Sequence, residues 1–418
     1  MEKIQILKFI LKEIRVFQAI SQDDLQRLLS HALYTSSEII GIMSTMGDSI
    51  YTQHHLNAIR EAVIYFKDED YEECKEYMRQ FQNLLVDFEV MYEDTYDQEQ
   101  LILDTENILS KRFENDGKSN VILSISAAVA LDKIKISIES DEYTSQKTTC
   151  FCGGESFTII SHKEKHGLPI KSGICRKCGL IMSMTMISDV KKFYSEYYSM
   201  LYLGNDYDRN TAYIHQVQRG IMLHTALNEY LPKDVTPKVL DVGCEVGGIL
   251  AVFKGEGCDA IGTDLYDGHV EFAQRMNINA LNCELEELIE DHARSFDLIM
   301  LSNVVQNFYD LKKEFRAIKK LLKPDGYLYV ELVNIKNIKI HKHDYLRYLQ
   351  IAHNYNFSVE TLNQTLRALG FEFLAGTDHT SALFRNNSDI ARSTVLSNYH
   401  DDILGYMSTV EKIFFAPE

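Results

Sequence analysis

The chain has 418 residues, of which 45% are hydrophobic and 25% charged, with 5 prolines and 21 glycines. Those values exclude a single small module and a collagenous or low-complexity chain, and predict two or three folded domains. With 43 basic residues against 61 acidic ones the net charge is −18, which repels phosphate backbones and argues against nucleic acid and anionic membranes as partners.

The amino-terminal apolar stretch is broken by Lys8, Lys12, Glu13 and Arg15, unlike an export signal or a membrane span. No membrane span and a cytoplasmic location are expected. Residues 1–145 read as an all-α domain. Leu7, Ile10, Leu11, Ile14 and Phe17 recur at helical spacing, and Tyr71, Cys74, Tyr77, Met78, Phe81, Leu84, Leu85 and Phe88 form a second stripe. Ordinary core packing under an acidic surface accounts for both stripes. A protein partner or self-association through residues 1–145 is the alternative.

A polar stretch, Ser140 to Thr149, marks a boundary, and a cysteine module with a Tyr-rich linker is expected over 146–204. Cys150-Phe-Cys152-Gly153 precedes Cys175-Arg-Lys-Cys178-Gly179. Two such turns bring four thiolates to one tetrahedral Zn²⁺, and the glycines let backbone N–H groups turn toward sulfur. Cys150, Cys152, Cys175 and Cys178 are the predicted ligands; His162 or His166 could replace one thiolate. Free buried cysteines, an iron–sulfur cluster and a redox pair remain alternatives. With four protein ligands the zinc would be structural. The linker aromatics Phe193, Tyr194, Tyr197, Tyr198 and Tyr202 predict packing between modules, with a lid over a ligand ring as the alternative.

From about residue 205 strand-like and helix-like segments alternate, which predicts an α/β domain with a mostly parallel sheet over 205–385, followed by a tail and amphipathic helix over 386–418. Val239-Leu-Asp241-Val-Gly243-Cys-Glu245-Val-Gly247-Gly248 is a strand running into a glycine-rich turn and a helix. A second strand ends at Asp264, 23 residues after Asp241, where a carboxylate can accept both hydroxyls of a ribose. The two acids in the turn would repel a pyrophosphate and suit a sulfonium bearing an ammonium group.

This segment resembles motif I of class I S-adenosylmethionine (SAM) dependent methyltransferases. The resemblance continues through Asp264, Phe296-Asp297 to Ser302-Asn303, and Leu321-Leu-Lys-Pro324-Asp-Gly326 with the strand after it. It implies a Rossmann-like fold of the class I type and SAM as cofactor. Asp241, Gly243 and Gly247 match the positions that hold the methionine part, and Asp264 the ribose acid. Glu284 or Glu286 falls near the adenine amine, and Ser302 and Asn303 sit where the fourth strand ends, toward the methyl group. Two departures stand out: Glu245 occupies a position that is commonly glycine, and Gln306-Asn307 replaces a Glu-His pair.

With that pair absent, a base must come from elsewhere or the nucleophile must need none. His353 and Tyr355, on a loop that closes over the substrate in the family, are the predicted acceptor-side residues; His341 and His343 are weaker candidates. A cysteine module before such a domain resembles methyltransferases of bacterial surface-polysaccharide pathways, implying a small hydroxylated acceptor, a sugar or glycan precursor. A degenerate SAM-binding scaffold that engages a protein partner is the alternative from another class.

Overall fold

The computed structural model describes residues 108–140, 144–203, 207–336, 344–376, 381–387 and 397–415. The chain divides into two compact units, Met1–Leu103 with Lys412–Glu418 and Asp104–Glu411; the second is described below. The stripes expected between Leu7 and Phe88, together with His341 and His343, lie outside the described residues. Among those described, no helix is long and apolar enough to cross a membrane.

Helix α1 (Ile125–Glu139) opens on the side chain of Ser124, which accepts from the Ala127 N–H. Short strands follow: β1 (Thr144–Gln146), β2 (Phe157–Ser161), β3 (Ser172–Cys175), β4 (Ile181–Ser183) and β5 (Thr185–Ile187). A turn of helix, α2 (Val190–Phe193), runs into a π-helical segment over Tyr194–Leu203. The wider π spacing stacks Tyr194 on Tyr198 at 4.5 Å between ring centroids and sets Tyr198 against Tyr202 at 5.2 Å. A run of this kind is rare and is frequently found at functional sites. Leu131 and Ile134 of α1 bury against Phe193 and the half-buried Tyr194, Tyr197 and Tyr198, so the linker aromatics do pack between elements.

The α/β part contains α3 (Arg209–Leu227), β6 (Lys238–Val242), α4 (Gly248–Gly255), β7 (Asp259–Thr263), α5 (Asp267–Arg275), β8 (Asn279–Leu281), α6 (Ile289–His292), β9 (Phe296–Ser302), α7 (Leu311–Leu321) and β10 (Leu322–Glu331). It continues with α8 (Tyr345–Tyr348), β11 (Tyr355–Asn356), α9 (Val359–Ala368), β12 (Phe371–Gly376), β13 (Ser381–Asn386) and α10 (His400–Phe415). Seven strands make one sheet in the order β12-β13-β10-β9-β6-β7-β8. The five from β10 to β8 are parallel; β13 alone is reversed, antiparallel to both its neighbours β10 and β12. This is the expected mostly parallel sheet.

Side chains alternate across it with the period of two that strands impose. Val239, Leu298 and Met300 bury beneath α3, α4 and α5, while Leu240, Ile299 and Leu301 bury against Phe315 and Ile318 of α7 and Leu362 and Leu366 of α9. Strand order reverses between β6 and β9, and the crevice at the carboxyl ends of such a pair is where open α/β sheets take ligands.

The cysteine module is fused to this domain. The two-residue strand β11 leaves the α/β part and pairs antiparallel with β4, completing the sheet β11-β4-β3-β2. Buried Asn354, just before it, works as a clasp. Its amide donates to the carbonyls of Ile187 (3.4 Å), Asn307 (3.2 Å) and Phe308 (3.3 Å), and its oxygen accepts from the Ile187 N–H at 3.2 Å. Gln364 of α9 donates to the Cys178 carbonyl at 2.8 Å. The carboxyl-terminal helix joins the same body: Ile403, Leu404, Met407 and Val410 share a core with Ile160, Ile174 and Ile181.

Removing one side chain that satisfies several buried backbone groups leaves them unpaired, at about 1–3 kcal/mol. Asn354→Ala should therefore lower the unfolding free energy by about 2 kcal/mol, read as a lower guanidinium midpoint with an unchanged slope. A change within error would show that the clasp contributes nothing.

Candidate functional site

The site forms where β6 ends. Gly243 adopts φ +68, and a Cβ there would stand 2.6 Å from Val304 Cγ2; glycine alone fits both the left-handed backbone and the close approach. Gly247, at φ +79, serves as the N-cap of α4. The turn therefore passes close to the sheet edge with its backbone accessible. Beside it lies a cavity of about 290 Å³. Its walls come from four places: Val242 and Gly243 where β6 meets the turn, Thr263, Asp264 and Leu265 at the end of β7, Cys283, Glu284 and Leu285 after β8, and residues between Val304 and Glu314. The remaining side is closed by Ser188, Asp189, Val190 and Tyr194 from the cysteine module and its aromatic linker.

Asp264 sits at the mouth of β7. One carboxylate oxygen accepts the Glu245 N–H at 3.0 Å and the other the Tyr266 N–H at 2.9 Å. The oxygen toward Glu245 keeps a second lone pair for a ligand, because an ionised carboxylate offers about four acceptor sites, while His269 Nδ1 stands 3.5 Å from the other oxygen. Glu245, despite φ +49, is drawn away from the turn: Tyr207 donates to one oxygen at 2.5 Å and Gln216 to the other at 2.7 Å. Its side chain thus braces α3 instead of standing in the approach path.

Asp241 is 1% exposed and its Oδ1 has no hydrogen-bond partner among the described residues. Burial pushes its carboxyl up to about 7; Arg219 opposes that shift, and Asp264, Glu245 and Glu331 add to it. Arg219 itself is committed to Glu331 and, at 3.2 Å, to Ser302. Ser302 is therefore held from α3. Asn303, at φ +57, donates its N–H to the Glu331 carbonyl at 2.6 Å, which ties the end of β9 to the end of β10. Of the predicted cofactor residues, Gly243, Asp264 and Glu284 line the cavity, whereas Asp241, Gly247, Ser302 and Asn303 lie beneath or beside it.

On the wall formed after β9, Asn307 donates to the Tyr194 hydroxyl at 2.8 Å while its Oδ1 is buried and unpartnered among the described residues. Burial raises the Tyr194 phenol well above its ordinary range, so the ring stays neutral. His353 and Tyr355 do not line the cavity. The His353 ring faces Gln350 and lies 5.4 Å from the ring of Tyr348. The Tyr355 hydroxyl donates to the Tyr309 carbonyl at 3.2 Å and accepts from Lys147 at 3.1 Å. Sequence reasoning missed Lys147, Asn354 and Glu314; nothing in their local pattern signals a site, because tertiary pairing brings them there.

The four cysteines converge. Their sulfur atoms all lie within 4.8 Å of one another, with Cys150 to Cys178 at 3.7 Å and Cys152 to Cys175 at 3.6 Å. Ligands about 2.3 Å from a tetrahedral zinc are about 3.8 Å apart, so the donor set fits that ion. The histidines stand apart: His166 Nδ1 faces Glu164 at 3.0 Å, and neither His166 nor His162 belongs to the cluster.

The raised carboxyl of Asp241 has a measurable consequence. Its folded value of about 7 exceeds the ordinary value of about 3.9. The stability it contributes is thus fully present below that ordinary value and lost as pH rises through 7. Asp241→Asn should melt several degrees above the unchanged protein at pH 8, with the gap shrinking toward pH 5, by scanning calorimetry. A gap independent of pH would contradict the assignment.

Residues 213–375 match a family described as "Methyltransferase domain". The ubiquinone biosynthesis O-methyltransferase of Bos taurus is 35% identical over 107 residues, covering 23% of this chain and 29% of that protein. Its namesake from Acinetobacter baylyi is 31% identical over 105 residues, covering 23% of this chain and 44% of that protein. The chain thus spans less than half the length of these relatives. A solved structure, the CurJ carbon methyltransferase, aligns over 48% of this chain and 64% of its own at 16% identity and a TM-score of 0.37. With the sheet order, the glycine turn and the family match together, residues 213–375 form a methyltransferase domain of the class I, Rossmann-like fold.

Proposed function

We propose that this protein transfers a methyl group from SAM to a small hydroxylated acceptor, and that its cysteine module carries a structural Zn²⁺. The observation that carries the first part is the charge of the cavity. Its lining includes the acids Asp189, Asp264, Glu284 and Asp310 against one lysine, Lys313, even with Glu314 left uncharged. Such a lining attracts a cation and repels a diphosphate, which favours SAM over a dinucleotide.

In this reading Gly243 admits the methionine part to the turn, Asp241 offers its unpartnered oxygen beneath it, and Asp264 accepts the ribose hydroxyls. When bound, SAM supplies a methyl group on a sulfonium leaving group. The chain supplies position and exclusion of water. Asn307 Oδ1 accepts from the acceptor hydroxyl, with Tyr194 and Tyr309 as flat walls for its ring. His353 and Tyr355 belong to the loop that buttresses this wall and do not touch the acceptor. Asn307 cannot take the hydroxyl proton, which leaves to solvent as the oxygen–methyl bond forms and the sulfur–methyl bond breaks, so an acidic hydroxyl suits the site better than that of a sugar. The names of the relatives, O-methyltransferases of ubiquinone biosynthesis, agree with oxygen as the methylated atom. A sugar precursor remains the other substrate class to assay.

Zinc would hold the β11-β4-β3-β2 sheet against the acceptor wall, since β11 and Gln364 both attach the α/β domain beside Cys178. Purified protein should contain about one zinc per chain by elemental analysis, and Cys175→Ser should lose it; full zinc retention by that variant would contradict the Cys₄ assignment.

Titration calorimetry should give micromolar binding of S-adenosylhomocysteine, and Asp264→Ala should weaken it by about 100-fold, since two hydrogen bonds to a charged group contribute about 3 kcal/mol. Methyl transfer to a catechol or to a sugar, followed by mass spectrometry, identifies the acceptor class. Binding of NAD in preference to S-adenosylhomocysteine would overturn the proposal.

A further inference from the structure

Two carboxyls, of Glu284 on the loop after β8 and of Glu314 on α7, belong to residues that line the cavity, and they are not equivalent. Glu284, on the loop after β8, lines the wall, but its carboxylate lies 3.7 Å from the ammonium of Lys313 and its side chain is 47% exposed. Glu286 pairs with the same lysine at 3.1 Å. Lys313 thus draws both acids of that loop toward solvent. Glu314, the next residue on α7, also lines the cavity, and its side chain takes part in no hydrogen bond or ion pair among the described residues. It is half-buried, and its carboxyl oxygens are not sealed from the cavity.

The charges around Glu314 come from two elements and the facing wall. Lys313 and Asp310 belong to its own helix and cap, and Glu284, Glu286 and Cys283 to the loop after β8; Asp189 lines the cavity from the aromatic linker. Burial pushes the Glu314 carboxyl up to about 7; Lys313 works against that shift, while Glu284, Glu286 and Asp310 reinforce it. A neutral carboxylic acid presents one O–H donor beside one C=O acceptor. Adenine offers the complementary pair, the ring nitrogen N1 as acceptor and the exocyclic amine as donor. An ionised carboxylate has no donor for N1.

We propose that Glu314, and not Glu284, is the side chain that reads the adenine edge of the cofactor, donating to N1 and accepting from the amine as a neutral acid. The inference rests on the SAM reading above and adds to it a residue and a protonation state. The neutral acid is the binding form, so affinity from this contact is full below about pH 7 and falls as pH rises through the value in the complex. Glutamine offers the same donor and acceptor, as when it reads adenine in DNA, without titrating.

The test is calorimetry of the full-length protein with S-adenosylhomocysteine from about pH 6 to about pH 8.5, for the unchanged protein, Glu314→Gln, Glu314→Ala and Glu284→Gln. Comparing the unchanged protein with Glu314→Gln at each pH cancels the titration of Asp241 and of the ligand's own amine. The affinity ratio in favour of Glu314→Gln should rise from about one at the acid end to about tenfold at the alkaline end. Glu314→Ala should bind about tenfold more weakly at pH 6, and Glu284→Gln within about twofold of the unchanged protein. A flat ratio, with Glu314→Ala binding as tightly as the unchanged protein, overturns the inference and leaves the SAM reading standing. No binding by the unchanged protein overturns the SAM reading and this inference with it. Should Glu314→Ala fail to fold by circular dichroism, the ratio for Glu314→Gln decides alone.

Discussion

The site depends on one close approach, the passage of the Gly243 backbone beside Val304 at the point where strand order reverses. A Cβ at Gly243 would stand 2.6 Å from the Val304 side chain, so any other residue would force the β6 turn away from β9. Beside that turn Asp264 accepts from the Glu245 N–H, and Asp241 is buried with one oxygen unpaired among the described residues. The polar cost of Asp241 is of the kind that folds retain at sites, where an unsatisfied group awaits a ligand.

A second constraint closes the cavity. The α/β part supplies most of the cavity wall, and the cysteine module and its linker supply the rest through Asp189, Val190 and Tyr194. The module is held there by pairing of β11 with β4, by Asn354, and by Gln364 at the Cys178 carbonyl. Its cysteines thus pack behind this wall without lining the cavity. Burial of Cys150, Cys175 and Cys178 in the same core as Leu240 and Ile299 makes the two modules one packed body.

Much of this was legible in the sequence because it is local. The Asp241 to Gly248 turn, the acid at Asp264 and the paired cysteines are short patterns whose chemistry is set by spacing. The alternation of strand and helix also announced the sheet. What the sequence hid is set by distant partners. Strand β11 is two residues long and carries no pattern of its own. Glu314 reads as an ordinary helix-surface acid until the loop after β8 folds beside it. His353 and Tyr355 lie on the expected loop, yet their side chains turn toward Gln350, Tyr309 and Lys147, contacts that only tertiary structure defines. Glu245 reads as an obstruction, and the hydrogen bonds from Tyr207 and Gln216 make it a brace.

A crystal structure grown with S-adenosylhomocysteine tests the central claim most directly. The homocysteine portion should lie against the Gly243 turn, with the ribose hydroxyls on Asp264 and the adenine between Leu285 and Val304. Ligand density elsewhere on the molecule, with the Gly243 crevice filled by its own side chains, would contradict it.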